Sequence, residues 1–196
     1  MPLFILHVMQ VTIGTREDPD NVLTLAEVKR HLRVTHSLED SLITAIRNAS
    51  IRYVEQYCNT SLGRIEAYGH LSHFHLDYFP LGPVATIDKV EYETDNNGTL
   101  STLNGSKYHY DLKTEPARIA FTDVPAPYEY ALMPIKITFT YGHATGGIPP
   151  NIIAAVLLIC GHLYENRQAE ITGTITTRLK LGVDALLSTE RILYQP

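Results

Sequence analysis

The sequence predicts an α+β fold: a helical core of two N-terminal helices plus one long C-terminal helix, with an inserted antiparallel β subdomain and a C-terminal arm. Three observations carry this. Apolar residues recur at helical spacing between Thr24 and Cys58. The period falls from 3.6 to 2 between Ile65 and Tyr141. A nearly unbroken apolar run, Ile152 to Cys160, then follows a proline that can open a helix. The expected layout is 1–23 an N-terminal arm or strand, 24–64 the N-terminal helices, 65–147 the β insertion, 148–167 the core helix, and 168–196 a C-terminal arm with a short helix. With 196 residues, 44% of them apolar, the chain can bury a real core as one domain or as a domain with an embedded subdomain.

"MPLFILHVMQVTIG" is apolar but too short to span a bilayer, and it lacks the basic start and cleavage site of a signal peptide. It reads as a strand or an arm, and the protein is expected to be made soluble in the cytoplasm with no membrane partner. After the linker "GTREDPDN", Thr24 and Glu27 form a capping box, and Leu25, Val28 and Leu32 supply one apolar face. Ser37 is positioned to cap a second helix, with Asp40 at its third position. There Leu42, Ile46, Ala49, Tyr53 and Tyr57 repeat as the buried stripe, while Glu39, Arg47, Asn48, Arg52 and Glu55 fall on the solvated side.

In the β region Phe74, Leu76 and Tyr78 alternate before the turn "FPLGP". "KVEYET" places Val90, Tyr92 and Thr94 opposite Lys89, Glu91 and Glu93, and "DNNGT" supplies the Asn-Gly pair that favours a type I′ hairpin. The cleanest strand is "IKITFTYG", with Ile135, Ile137, Phe139 and Tyr141 on one face and Lys136, Thr138 and Thr140 on the other. Five or six antiparallel strands are expected. "ATGGIPP" then leads into a helix apolar nearly all round, which needs neighbours on several sides; a polar gap from Gln168 to Lys180 separates it from a short amphipathic piece around Val183 to Ser188.

The formal charge of −5 disfavours a dedicated nucleic-acid reader, which draws affinity from lysine and arginine. Cys58 and Cys160 both lie in helical apolar patterns and read as buried thiols in a reducing compartment, with raised pKa and little reactivity. Nine histidines invite a metal hypothesis, and "HLSHFH" is where it is best tested. On a strand His73 and His75 would share a face with Asp77, two imidazoles and a carboxylate that could ligate zinc or iron in a metal-dependent enzyme, with His70 pointing away. The plainer reading is a histidine-rich polar strand face, because the spacing matches no metal signature. No nucleophile elbow, phosphate loop, zinc-protease motif or dinucleotide fingerprint occurs. In "ATGGIPP" proline lacks the amide hydrogen a phosphate cradle needs, so a plain turn is expected. Glu165 and Arg167 are two apart on a helix, so they diverge; Tyr164 and Arg167 are residue types that anchor protein contacts. A monomeric binding module is the third class the residues leave open.

Several blocks, in order, carry a resemblance: "LTLAEVKRHLRVTHSLEDSLITAIRNASIRYVEQY", the strand-rich middle with "YHYDLKTEPARI" and "ITFTYGHA", then "IPPNIIAAVLLICGHLYENR", and finally "LGVDALLSTERI". Together they resemble the head-to-tail connector (adaptor) proteins of tailed bacteriophages, from about Thr24 to Arg191. The helix ending in Tyr-Glu-Asn-Arg and the Leu-Gly-Val-x-Ala-Leu-Leu tail are the most specific parts.

The resemblance implies a non-enzymatic structural protein, with no cofactor or metal, that forms a homo-oligomeric ring, expected to be a dodecamer, below the portal at the capsid vertex. Its implied partners are copies of itself, the portal protein, a neck, stopper or tail-terminator protein, and double-stranded DNA passing through the lumen without sequence specificity during packaging and ejection. In the family the C-terminal arm engages the portal. On that expectation Tyr164, Glu165, Arg167, Ile171, Ile175, Leu181, Val183, Leu186 and Leu187 are the portal or subunit interface. The greasy helix is then completed by sibling subunits and "LGVDALL" is an apolar grip; the alternative is a final helix returned to the same subunit's core. A net negative balance suits a conduit that must not retain phosphates.

Overall fold

The computed structural model describes residues 9–166 and 176–193, excluding the side chains of 176–181. The chain forms two compact units, each assembled from separate stretches: a β unit from residues 9–16 and 64–142, and a helical unit from 17–63 and 143–193. The β unit therefore borrows a strand from the N-terminal segment, and the helical unit takes back the turn at 143–147.

The helical unit contains α1 (Leu25–Leu32), α2 (Asp40–Cys58), α3 (Pro150–Glu165) and α4 (Thr176–Leu187). The expected capping box is present. Thr24 Oγ1 accepts from the Glu27 amide at 3.3 Å, and Glu27 Oε2 accepts from the Thr24 amide at 2.8 Å. The Thr24 bonds, side chain first, hold the Glu27 carboxyl below its ordinary range. α1 stops where Arg33 turns left-handed at φ 58°. The Ser37 cap does not form: α2 begins at Asp40 with Glu39 before it and no side-chain cap. Asp40 instead takes the Lys29 ammonium at 2.5 Å.

The buried stripe of α2 is rotated from the expected one. Ile43, Ile46, Ile51, Val54 and Cys58 are inside, and Tyr53 is exposed. Arg47 and Glu55, assigned to the solvated side, are only 3% and 6% exposed. Both are buried because each is hydrogen-bonded. Arg47 Nη1 donates to the Asp20 carboxylate and to the Leu23 carbonyl at 3.2 Å, and its Nε donates to Asn48 Oδ1 at 3.1 Å. Glu55 Oε1 accepts from the Leu62 amide at 3.0 Å and Ser61 Oγ at 3.2 Å, fixing the chain that leaves α2.

Pro150 is the first residue of α3, as its missing amide hydrogen allows. α3 packs against α1, α2 and α4. Ile152, Ala155, Val156, Ile159 and Cys160 are buried there, while Leu158 and Leu163 stay exposed. The apolar helix is thus covered over most of its girth by its own chain, with two leucines left to water.

The β unit holds a five-stranded antiparallel sheet in the order β1 (Gln10–Arg16), β2 (Ile65–Leu71), β7 (Ile135–Tyr141), β3 (Val84–Glu93), β4 (Leu100–Thr102), and a separate ladder of β5 (Tyr108–Asp111) with β6 (Arg118–Phe121). β2 and β7 alternate buried and half-buried residues strictly, and the four inward residues assigned to β7 are all buried. β1 is an edge strand whose register to β2 shifts between Ile13 and Arg16. Gly14 lies in that shift, where a Cβ would stand 2.9 Å from the Glu66 carbonyl oxygen. The core gathers on the inner face of the sheet with Leu76, Phe79, Leu103, Ala117 and Ile119.

Two local expectations fail. Phe74, Leu76 and Tyr78 belong to no strand: the His75 amide donates to the His73 carbonyl at 2.7 Å, a bend that no extended ladder contains. The β3–β4 hairpin forms, but only Gly98 has positive φ (74°), so its turn is not type I′. The cause is Asp95, whose carboxylate accepts from the Asn97 and Thr99 amides at 2.9 and 3.1 Å. These bonds, that of Thr99 first, hold the Asp95 carboxyl below its ordinary range. Among the described residues no helix is long and apolar enough to cross a membrane.

Candidate functional surfaces

In the β unit, the bend at 73–77 and the β5–β6 ladder enclose an open cleft of about 540 Å³ lined by Phe74, His75, Asp77, His109, Asp111 and Arg118, among others. Phe74 forms its aromatic floor, edge-on to Phe121 at 5.3 Å and to Tyr92 at 6.0 Å between ring centroids. His75 Nε2 stands 3.4 Å from Asp77 Oδ1, both side chains largely in water. The expected partner His73 does not line the cleft, because the bend separates the faces a strand would have aligned. Among the described residues no three His, Cys, Asp or Glu side chains are placed to hold a metal ion. His75, Asp77 and their neighbours thus make a polar groove with no convergent donor set for Lewis-acid chemistry.

The second surface is the C-terminal part of the helical unit. The Tyr164 hydroxyl donates to Glu39 Oε2, tying the last turn of α3 to the start of α2. Glu165 is exposed, and the Asn166 amide closes the helix on the His162 carbonyl at 2.9 Å. Arg167, Ile171 and Ile175 lie outside the described residues, as does the side chain of Leu181. Val183 and Leu187 are 3% and 0% exposed, packed in the helical unit's own core, and Leu186 is half-buried against it. This corrects the expectation that "LGVDALL" awaits a partner: Val183 and Leu187 already have their apolar neighbours.

Polar bonds reinforce that docking. Asn151 Nδ2 donates to the Leu186 carbonyl at 2.9 Å and to Glu190 Oε1 at 2.8 Å. The Ile192 amide donates to the Cys58 carbonyl at 2.9 Å, and Asn59 Nδ2 to the Ile192 carbonyl at 3.1 Å. The Tyr57 hydroxyl bonds the Asp184 carboxylate, which raises the Tyr57 pKa, and the Arg191 guanidinium lies 5.7 Å from the Tyr57 ring centre.

The two thiols have no free access to solvent. Burial pushes Cys58 up to about 11, with the Glu190 carboxylate adding to the rise, and burial likewise raises Cys160. Neither should react with a thiol reagent at pH 8 in the folded protein, and both should react once guanidinium unfolds it; rapid labelling of native protein would refute their placement. The raised Cys58 pKa also sets a sign. The unfolded thiol loses its proton near pH 9 and the folded one near 11, so its contribution to stability is full below pH 9 and lost as pH rises through 11.

Sequence reasoning missed the most exposed apolar side chains, Leu132 (90%), Leu38 (89%) and Tyr130 (77%). For Tyr130 and Leu132 the available signal was "PAPYEYALMP", apolar residues between prolines with no strand period.

Residues 22–101, spanning α1 to the start of β4, match the family described as "Phage gp6-like head-tail connector protein". No curated protein matches the chain. Among solved structures it is similar to a chain in the neck of an empty GTA particle computed with C6 symmetry, at 21% identity and a TM-score of 0.75, over 96% of this chain and 98% of that one. A chain in the virion of the native gene transfer agent (GTA) particle gives the same identity, coverage and score. One in the neck of the native particle computed with C12 symmetry scores 0.74 at the same identity and coverage. Residues 22–101 therefore carry the pattern of the phage gp6-like head-tail connector family that the sequence resembles, and the chain as a whole has the fold of a protein from the GTA particle neck.

Proposed function

We propose that the protein is a structural head-to-tail connector, one subunit of a ring below the portal that extends the DNA channel and docks the neck or tail. The observation that carries this is the similarity of fold over nearly the full length of both chains, joined to the connector-family match across α1 to β4. The surface agrees with it in kind. Large apolar side chains stand in water on both units, Leu38, Leu158 and Leu163 on one and Tyr130 and Leu132 on the other. In an assembly such side chains can be covered by partners. The net charge of −5 suits a channel wall that lets phosphates slide.

The finer reading follows from the same role. Copies of the chain form the ring, the helical unit is its core, and the portal and a neck or stopper protein lie above and below. Arg167, Ile171 and Ile175 are proposed to reach the portal from the segment between α3 and α4, with Glu165 at its root. Because Val183 and Leu187 are buried at home, the contact there falls to Leu186 and the segment before it.

The test is assembly. Purified protein measured by light scattering and negative-stain microscopy, alone and mixed with purified portal rings, should give rings or a ring stacked on portal. A chain that stays monomeric and ignores portal would overturn the proposal, and stoichiometric zinc by elemental analysis would then favour the metal-dependent enzyme.

A further inference from the structure

The β unit presents a rigid apolar knob with an acidic border. Its turn, 128–134, is clamped by one residue: the Glu93 carbonyl accepts from the Tyr128 amide and the Glu93 amide donates to the Pro134 carbonyl, both at 2.8 Å. The Ala131 amide closes the turn on the Tyr128 carbonyl at 3.3 Å, and the Tyr128 and Tyr130 rings meet edge to face at 5.6 Å. Pro125, Pro127 and Pro134 restrict the backbone further. The backbone that carries Tyr130 and Leu132 is therefore held by hydrogen bonds while both side chains stand out in water, so a contact there orders little main chain. Neither 91–103 nor 122–134 contains a lysine or arginine. Lys89 and Lys107 neutralise Glu91 and Asp123, leaving Glu93, Asp95 and Glu129 with no salt-bridge partner among the described residues.

The helical unit presents the opposite character. At the end of α1 and just beyond it Arg30, His31 and Arg33 are exposed, and Leu38 projects almost wholly into solvent. Lys29 is spent on Asp40, but Arg30 and Arg33 have no carboxylate within 4.0 Å among the described residues. An acidic apolar knob disfavours nucleic acid and favours a basic apolar face, and this chain carries one of each. Two different, complementary patches on one chain make a head-to-tail contact, the kind that closes into a ring when the rotation allows.

We propose that the knob of one copy, Tyr130 and Leu132 bordered by Glu93 and Glu129, docks on the α1–α2 turn of the next copy, where Arg30, Arg33 and Leu38 are exposed, and forms the contact between ring subunits. This rests on the ring reading above and adds the surfaces that make the ring.

Two charge-reversed proteins test it: Arg30→Glu with Arg33→Glu, and Glu93→Lys with Glu129→Lys. Each alone sets like charges together at every contact, and should lose ring assembly, with self-association weakened by about tenfold or more. Mixed in equal amounts, the intact knob of one variant meets the intact arginines of the other and the two altered patches meet each other, opposite charges at every contact, so a ring of alternating copies should return. In a separate protein, Leu38→Cys with Leu132→Cys should give a ladder of disulfide-linked oligomers on mild oxidation, because the native thiols are buried. Unchanged melting temperatures establish that the variants fold, and the ladder is read on protein with native surface charge.

Rings that form normally from both charge variants and give no ladder would overturn this interface and leave the connector reading standing. So would variants whose mixture stays dissociated. A wild-type chain that forms no ring, alone or on portal, would remove the connector reading and this inference with it.

Discussion

Phe139→Ala is expected to destabilise the β unit by about 3–5 kcal/mol, the usual cost of truncating a fully buried aromatic side chain to a methyl. Phe139 is 0% exposed and sits mid-strand in β7, paired with Ala67 on one side and Ile87 on the other. Its ring lies 5.0 Å from that of Phe79 and 6.0 Å from that of Tyr141. Ala67 is too small to fill the space left, and β2 and β3 hold the backbone on both sides, so the cavity cannot collapse. Thr138→Ala, one residue away on the half-buried opposite face, should change stability by no more than about 0.5 kcal/mol. The chain has no tryptophan, so denaturant unfolding is best followed by hydrogen exchange, which separates a transition in one unit from a transition in the other. Equal effects from the two substitutions would show that the inward face of β7 is not the core of this unit.

The contrast between β7 and the segment before β3 shows which features of the fold are legible in sequence. Both alternate apolar and polar residues. In β7 the alternation coincides with ladder partners on two sides, and the expectation holds residue for residue. At 73–78 the same alternation is bent by the hydrogen bond from His75 to His73, and Leu76 and Phe79 enter the core from an irregular chain. Periodicity reports which side chains want burial; it does not report whether a neighbouring strand is there to pair.

In α2 two overlapping stripes satisfy helical spacing, and the one buried includes Arg47 and Glu55. What selects it is remote: Asp20 is 27 residues from Arg47, and the Leu62 amide is 7 from Glu55. A helical wheel contains neither partner. The candidate metal site failed for the reason the strand did, since it required His73 and His75 on one pleated face. The capping box of α1 and the proline start of α3 were legible because both are local, with every participating atom within a few residues.

Ending the chain after Gly173 is expected to unfold or severely weaken the helical unit, the reverse of what a dispensable arm predicts. Removing α4 strips Val183 and Leu187 from the core, and each buried aliphatic side chain is worth about 1.5–3 kcal/mol, so about 3–6 kcal/mol is lost from these two alone. A domain of this size is typically stable by only about 5–15 kcal/mol. The deletion also uncovers apolar side chains of α3 and removes the acceptors of Asn151 and Asn59. Val183→Ser with Leu187→Ser should reproduce most of the loss while keeping the backbone, whereas Ala185→Ser, on the exposed side of α4, should cost little. Thermal unfolding by circular dichroism decides the matter: a truncated chain that melts like the full one would mean that α4 contributes nothing to the unit that buries it, and would return "LGVDALL" to the role of a free grip. If the loss occurs as expected, failure of the truncated protein to bind portal is no evidence for an arm, because the subunit itself is compromised. The proposed portal contact is then better tested with substitutions at exposed positions such as Glu165, which leave the buried core untouched.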